Sequence, residues 1–295
     1  MVLLGRPAEL AQCRKALSPD RDGAAGVVIT GAPGIGKTSL WRAAAAALAG
    51  QQAVLRTTGL PSRRGGLGNL ADLFDPVTEA LLPRLPAPQA DALRTAFGLS
   101  AAQTPRGETL LERAVVTALR DLAETGVVVA IDDEQWLDDD TRQLMQAAVV
   151  RLSDTPVRWL VAVRAGHEDP GLVKVLEHEL GPRVERLDLA GLDDGALSDL
   201  IGQRFPGPWS PTVLGRVVML AAGSPYAALE LARETVARGG HDGTAVHLPS
   251  TLADSLRSRL GRLSPDVLAV VQAAALAETP TRTLLRAVGD VFAVW

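Results

Sequence analysis

The chain carries the pattern G-x-x-x-x-G-K-T at residues 31–38, between the β-branched run VVIT at 27–30 and an alanine-rich stretch that reads as helix to Leu48. Strand, glycine loop and helix in that order leave few folds open. Glycines let the backbone turn its N–H groups toward one point, and the N-terminus of the following helix adds partial positive charge there. A loop made of Gly31, Ala32, Pro33, Gly34, Ile35, Gly36, Lys37, Thr38 and Ser39 is therefore suited to phosphate oxygens. Lys37 is expected to meet the β- and γ-phosphates of ATP or ADP, and Thr38 to offer its hydroxyl to Mg²⁺.

Further strands are expected at 53–57, 127–131, 157–163 and 184–189, with helices at 67–82, 108–124 and 140–152. Pro86 and Pro88 mark a loop. This alternation predicts an α/β fold, a P-loop NTPase parallel sheet sandwiched by helices, which binds ligands beyond the carboxyl ends of its strands. Strand signals stop after Leu192, and helices follow at 193–204, 211–222 and 226–238. The expected division is a nucleotide-binding domain at 1–191, an all-helical lid domain at 192–240, a glycine link at 239–243, and a winged-helix-like beginning at 246–295. That last part holds too little chain for a core of its own, so it reads as truncated.

The second constellation is VVVAIDD at 127–133, an apolar strand that delivers two carboxylates to the side where phosphates would lie. Asp132 is the expected Mg²⁺ partner. Asp133 is the expected group that orients or deprotonates the attacking water, with Glu134 as a possible substitute. An acidic pair after a strand is otherwise a helix cap or a solvated turn, and Trp136 and Asp138 read as fixing this loop and capping the next helix. Arg164 closes the strand at 157–163 and is expected to sense the γ-phosphate or stabilise transferred charge, against the alternative of a surface ion pair.

Composition removes other classes. Hydrophobic residues at 47% and charged residues at 22% describe a folded chain. A net charge of −4 argues against nucleic-acid binding by this segment. The apolar runs at 127–131 and 267–276 are too short to cross a bilayer and no secretory signal opens the chain, so no membrane is expected and the location is cytoplasmic. A single Cys13 excludes an internal disulfide and reads as a small buried hydrophobe. His167, His178, His241 and His247 lack zinc-ligand spacing. Without an Asn-Lys-x-Asp segment, and with Asn69 the only asparagine, guanine has no reader.

LLGR at 3–6, the glycine loop, VAIDDEQWLD at 129–138, AVR at 162–164, GSP at 223–225 and LPSTL at 248–252 together resemble the STAND class of P-loop ATPases. Within it, the likeness is to large ATP-binding transcriptional regulators of the LuxR type. The resemblance runs over nearly the whole chain, with DDEQWLD, GSPYAALELA and LPSTLADSLRSRL its most particular parts. It implies that Arg6 and Pro225 lie against the nucleotide, although read alone they are an exposed arginine and an N1 proline. Glu134 stands where the family usually has an apolar or small residue, and Ser224 where asparagine is frequent. The resemblance further implies self-association on ATP binding, with sensor and DNA-binding regions in a C-terminal continuation.

Two other readings share the loop and the sheet. One is an AAA-type assembly or replication-initiator ATPase, a ring in which Arg106, Arg142 or Arg151 would serve a neighbour's site. The other is a P-loop phosphotransferase with a small acceptor, for which the sequence offers no acceptor pocket.

Overall fold

Every run read as a strand forms one: β1 (Ala25–Gly31), β2 (Ala53–Thr58), β3 (Val127–Asp132), β4 (Val157–Arg164) and β5 (Val184–Leu189). The computed structural model describes residues 3–62, 66–100, 108–166, 171–238, 249–261 and 263–276. Arg106, His167, His241, His247 and the link expected at 239–243 lie outside them.

The strands pair in parallel in the order β2-β3-β4-β1-β5. β4 therefore lies between β1 and β3, with Gly31 opposite Arg164 and Ile131 opposite Val161. This order sets the phosphate loop, Arg164 and the carboxylates side by side at one edge.

Both sheet faces are covered, which is why the central strands are apolar along most of their length. Val127, Val129, Ile131, Trp159 and Val161 point into one core, and Val128, Ala130, Leu160 and Ala162 into the other. Successive side chains of a strand point to opposite faces, so a continuous run feeds both layers. Each fully buried Leu or Val contributes about 1.5–3 kcal/mol by this burial.

The helices before β3 are α1 (Pro7–Ala16), α2 (Lys37–Leu48), α3 (Gly68–Phe74), α4 (Thr78–Leu81), α5 (Ala87–Ala96) and α6 (Glu108–Ala123). α7 (Asp139–Arg151) and α8 (Leu172–Leu180) complete the sheet's covering layers. α1 and α2 supply one core, and α3 to α8 the other. The helix expected at 67–82 is broken by a 3₁₀ turn at Asp75–Val77, where Pro76 lacks an N–H and crowds the turn before it. α5 occupies the loop expected around Pro86 and Pro88, because Pro86 is its N-cap and Pro88 falls in its first turn, where no N–H is needed.

Two buried side chains stand out in these layers. Arg158 on β4 is 0% exposed and donates to the carbonyls of Ser18, Pro19, Arg21 and Gly23, tying the α1–β1 loop to the sheet. Cys13 is buried, and burial pushes its thiol up to about 12, which leaves it unreactive.

The remaining helices are α9 (Asp194–Arg204), α10 (Pro211–Ala221), α11 (Pro225–Ala237), α12 (Ser250–Leu260) and α13 (Pro265–Leu276). The chain divides into a unit of Met1–Leu200 with Ala222–Tyr226, and a second of Ile201–Ala221 with Ala227–Trp295. The division thus falls inside α9 and returns a short piece at 222–226 to the first unit, where the sequence suggests a break at 191. Regular structure in the second unit's described residues is helical, with Val213, Val217, Leu231 and Ala232 buried. Only α12 and α13 are described in the part expected to begin a winged-helix-like unit. Among the described residues no helix is long and apolar enough to cross a membrane.

Candidate functional site

The phosphate loop leaves β1 at Gly31 and enters α2 at Lys37. Gly36 is the α2 N-cap at φ 103°, a left-handed conformation that a side chain would strain, and it brings no side-chain cap. The first-turn N–H groups of α2 are therefore left without a capping side chain, as an anion-binding helix end requires. Lys37 is 8% exposed, and its Nζ donates to the carbonyls of Gly31 at 3.0 Å and Ala32 at 3.1 Å. The ammonium is thereby folded back over the loop.

Asp132 closes β3 at 1% exposure and accepts a hydrogen bond from the Thr38 hydroxyl. Burial pushes its carboxyl above the ordinary value; the Thr38 bond opposes this, and the Asp133 carboxylate reinforces it. Burial likewise pushes the Lys37 ammonium down, with the Asp133 carboxylate opposing, Arg164 adding, and Asp132 opposing. Lys37, Thr38, Asp132, Asp133 and Arg164 thus form one electrostatic cluster. The hydroxyl and carboxylate pair of Thr38 and Asp132 is an all-oxygen donor set, which fits a hard cation such as Mg²⁺.

Asp133 takes φ 50° and ψ 51°, an uncommon left-handed conformation for a residue other than glycine. Its backbone is held by Asp133 N donating to Asp132 Oδ1 at 3.1 Å and by its carbonyl accepting from Trp136 N at 2.8 Å. Its side chain accepts from Gln135 Nε2 at 2.8 Å, while Gln135 Oε1 accepts from Arg164 N at 3.0 Å. Gln135 was not among the expected site residues. The only signal available in the sequence was a neutral amide, able both to donate and to accept, two positions after the second aspartate.

Glu134 lines the same cleft as Arg164 but spends its carboxylate on other partners. At 3% exposure, its Oε1 accepts from Leu172 N at 2.8 Å and lies 3.5 Å from Arg142 Nε. That is the N-terminal cap of α8, so the geometry replaces the water-activating role expected of Glu134 with a structural one. Glu134→Ala is expected to lower stability by about 1–3 kcal/mol, because Leu172 N is left buried and unpaired, whereas Glu134→Gln keeps an acceptor and loses less. Urea unfolding of both variants checks this; equal stability of wild type and Glu134→Ala removes the capping role. Asp138 caps α7, accepting from Thr141 N at 2.7 Å and from Asn69 N at 2.9 Å. Asp138 N in turn donates to Asn69 Oδ1, so the acidic loop is tied to α3 as well.

Arg164 is exposed and lines a cleft of about 220 Å³ together with Thr30, Lys174 and Asp188. Arg6, by contrast, is 6% exposed, and its guanidinium donates to Ile35 O at 3.4 Å and to Ala190 O. It joins the phosphate loop to the segment after β5, which an ordinary exposed arginine would not do. Gly34 O accepts from Tyr226 N at 3.2 Å and from Ser224 Oγ at 3.4 Å. Gly223 lies so close to Gly191 that a Cβ there would come within 2.8 Å of the Gly191 Cα, which accounts for the glycine that opens the GSP segment. Pro225 follows at the first position of α11, beside Gly36.

A family model described as the AAA ATPase domain matches residues 2–161, more than half of the chain. No curated protein matches it in sequence. Among solved structures, the Walker-type ATPase paby2304 of Pyrococcus abyssi is similar at TM-score 0.62 and 18% identity, over 99% of this chain and 84% of that one. The ORC2 protein of Aeropyrum pernix in its ADP form follows at TM-score 0.55 and 16% identity, over 98% and 80%. Cdc6p from Pyrobaculum aerophilum gives TM-score 0.53 and 14% identity, over 97% and 79%. At these identities the likeness speaks for the fold, which is that of the P-loop ATPases. With the family match spanning the phosphate loop and the paired aspartates, the chain belongs to the AAA ATPase domain family.

Proposed function

We propose that the chain is the ATP-binding, slowly hydrolysing switch domain of a STAND-class regulator of the LuxR type, dependent on Mg²⁺. The observation that carries this reading is the seating of the GSP segment on the phosphate loop, where Gly34 O accepts from both Tyr226 N and Ser224 Oγ. Lys37 and the loop N–H groups bind the phosphates, and Thr38 and Asp132 hold the ion. When bound, Mg²⁺ neutralises charge on the phosphate oxygens. Asp133 orients water and accepts its proton, and Arg164 offers positive charge at the same edge. Arg6 and Pro225, both beside the loop, face the nucleotide.

ATP and ADP differ by the γ-phosphate, so a switch needs contacts that only the triphosphate makes. Because Ser224 and Tyr226 are bonded to Gly34, a loop that rearranges around that phosphate moves the GSP segment with it. Self-association on ATP binding is the output this reading gives. ATP at about a thousand times its dissociation constant stabilises the bound form by roughly 4 kcal/mol, a rise of roughly 6–7 °C in melting temperature for a chain of this length. A thermal-shift series with Mg²⁺ and ATP, ADP or GTP is expected to show large shifts for the adenine nucleotides and a smaller one for GTP. No shift with any of them removes the reading.

A second reading, an AAA-type assembly or replication-initiator ATPase, is favoured by the family match and by the likeness to Cdc6p and ORC2. A ring needs an arginine to offer its neighbour. Arg142 is already bound to Asp139, to Leu137 O at 2.7 Å and near Glu134, and Arg151 pairs with Glu112. Sizing with and without ATP separates the two: a closed ring on ATP favours the initiator, and a monomer or an open association favours the switch.

A further inference from the structure

Gln135 uses both ends of its amide in opposite directions. A carboxylate oxygen can only accept and a backbone N–H can only donate, so the contacts to Asp133 Oδ1 and Arg164 N fix the orientation of the group without ambiguity. The residue is 7% exposed and lies in the 3₁₀ turn Glu134–Trp136, so its side chain has little freedom to leave these partners. It connects the end of β3 to the end of β4, the two strands that deliver a carboxylate and a guanidinium to the phosphate edge. The residue it holds on the β3 side is Asp133, whose left-handed backbone leaves the carboxylate's direction dependent on such restraints.

We infer that Gln135 is a positioning residue that fixes the Asp133 carboxylate against the end of β4, so that Asp133 meets the attacking water in one orientation. The inference rests on the reading of Asp133 as the water-orienting group. Gln135 acts through Asp133 and touches no reacting atom. Its loss therefore weakens what the site does for the transition state and leaves the ground-state nucleotide nearly alone.

The test is calorimetric titration of the whole chain with Mg·ADP, and with Mg·ADP plus aluminium fluoride as a mimic of the transferring phosphoryl group. The proteins are wild type, Gln135→Ala, Gln135→Glu, Asp133→Ala and the Gln135→Ala/Asp133→Ala double variant. For Gln135→Ala, Mg·ADP affinity is expected to stay within about twofold, while affinity for the aluminium fluoride complex falls roughly tenfold. Gln135→Glu keeps the acceptor for Arg164 N and the side-chain volume, but has no donor for Asp133 and brings a second negative charge. It is expected to bind the mimic as poorly as the alanine variant, a result that a purely structural role for the glutamine does not give. If Gln135→Ala folds poorly, Gln135→Glu carries the comparison alone. In the Asp133→Ala background, Gln135→Ala is expected to change affinity for the mimic by less than twofold.

An equal loss with and without Asp133 overturns the inference, as does an equal loss for Mg·ADP and the mimic, or no loss at all. Failure of the parent reading shows in the wild type instead: a chain that binds the mimic no more tightly than Mg·ADP removes the role of Asp133, and this inference with it.

Discussion

Lys37→Ala is expected to weaken Mg·ATP and Mg·ADP binding by roughly 100- to 1000-fold, with the fold intact. A hydrogen bond between ionised partners contributes about 1.5–3 kcal/mol, and one ammonium reaching two phosphates makes two of them. A combined loss of about 3–4 kcal/mol is two to three powers of ten in the dissociation constant. The structure adds a reason for the loop to be poorly formed in the variant: Nζ donates to Gly31 O at 3.0 Å and Ala32 O at 3.1 Å, so the group proposed to meet phosphate also closes the loop over itself. Stability should change little, because burial already disfavours the Lys37 ammonium and its removal relieves that cost. Isothermal titration at one pH, with circular dichroism as the folding control, reads both. A loss below tenfold with an unchanged fold means that phosphate is held elsewhere.

How much of this was legible before the structure depended on the range of the contacts. The five strands and the loop follow from local pattern: apolar runs long enough for a strand, a glycine spacing, and an alanine-rich helix behind it. α5 stands where Pro86 and Pro88 predict a loop, because a helix tolerates proline at its start. The break at Asp75–Val77 is the opposite case, since Pro76 interrupts a pattern whose apolar spacing runs on. Among site residues, the register of parallel strands carries Arg164 to Gly31, and that much can be anticipated from strand ends. The burial of Arg6 cannot, because it depends on Ile35 and on Ala190, 184 residues along the chain. Nor can the sequence say which side chain of DDEQWLD turns which way. Glu134 goes to the N-terminus of α8, 38 residues on, and Gln135 to Arg164, 29 residues on, and neither partner is marked by local pattern.

The other large effect is expected at Asp133, and there the choice of substitution decides what is learned. Asp133→Ala removes the carboxylate but also places alanine at φ 50°, where the left-handed conformation costs about 1–2 kcal/mol, so loss of activity and loss of local order are mixed. Asp133→Asn avoids this, because asparagine tolerates that conformation and keeps an acceptor within reach of Gln135 Nε2, which now donates at 2.8 Å. What it removes is the charge that can take a proton from water. Turnover is therefore expected to fall by roughly 10²- to 10⁴-fold in Asp133→Asn, the range of a lost general base, while Mg·ATP affinity stays within about threefold. The contrast with Asp132 is part of the prediction: that carboxylate accepts from the Thr38 hydroxyl and is proposed to hold the cation with it, so Asp132→Asn is expected to weaken the dependence on Mg²⁺ as well as turnover. Single-turnover hydrolysis alongside equilibrium binding over a Mg²⁺ series distinguishes the two aspartates. If Asp133→Asn lowers binding and turnover by the same factor, Asp133 belongs to the binding of the ground state, and water must be oriented by another group.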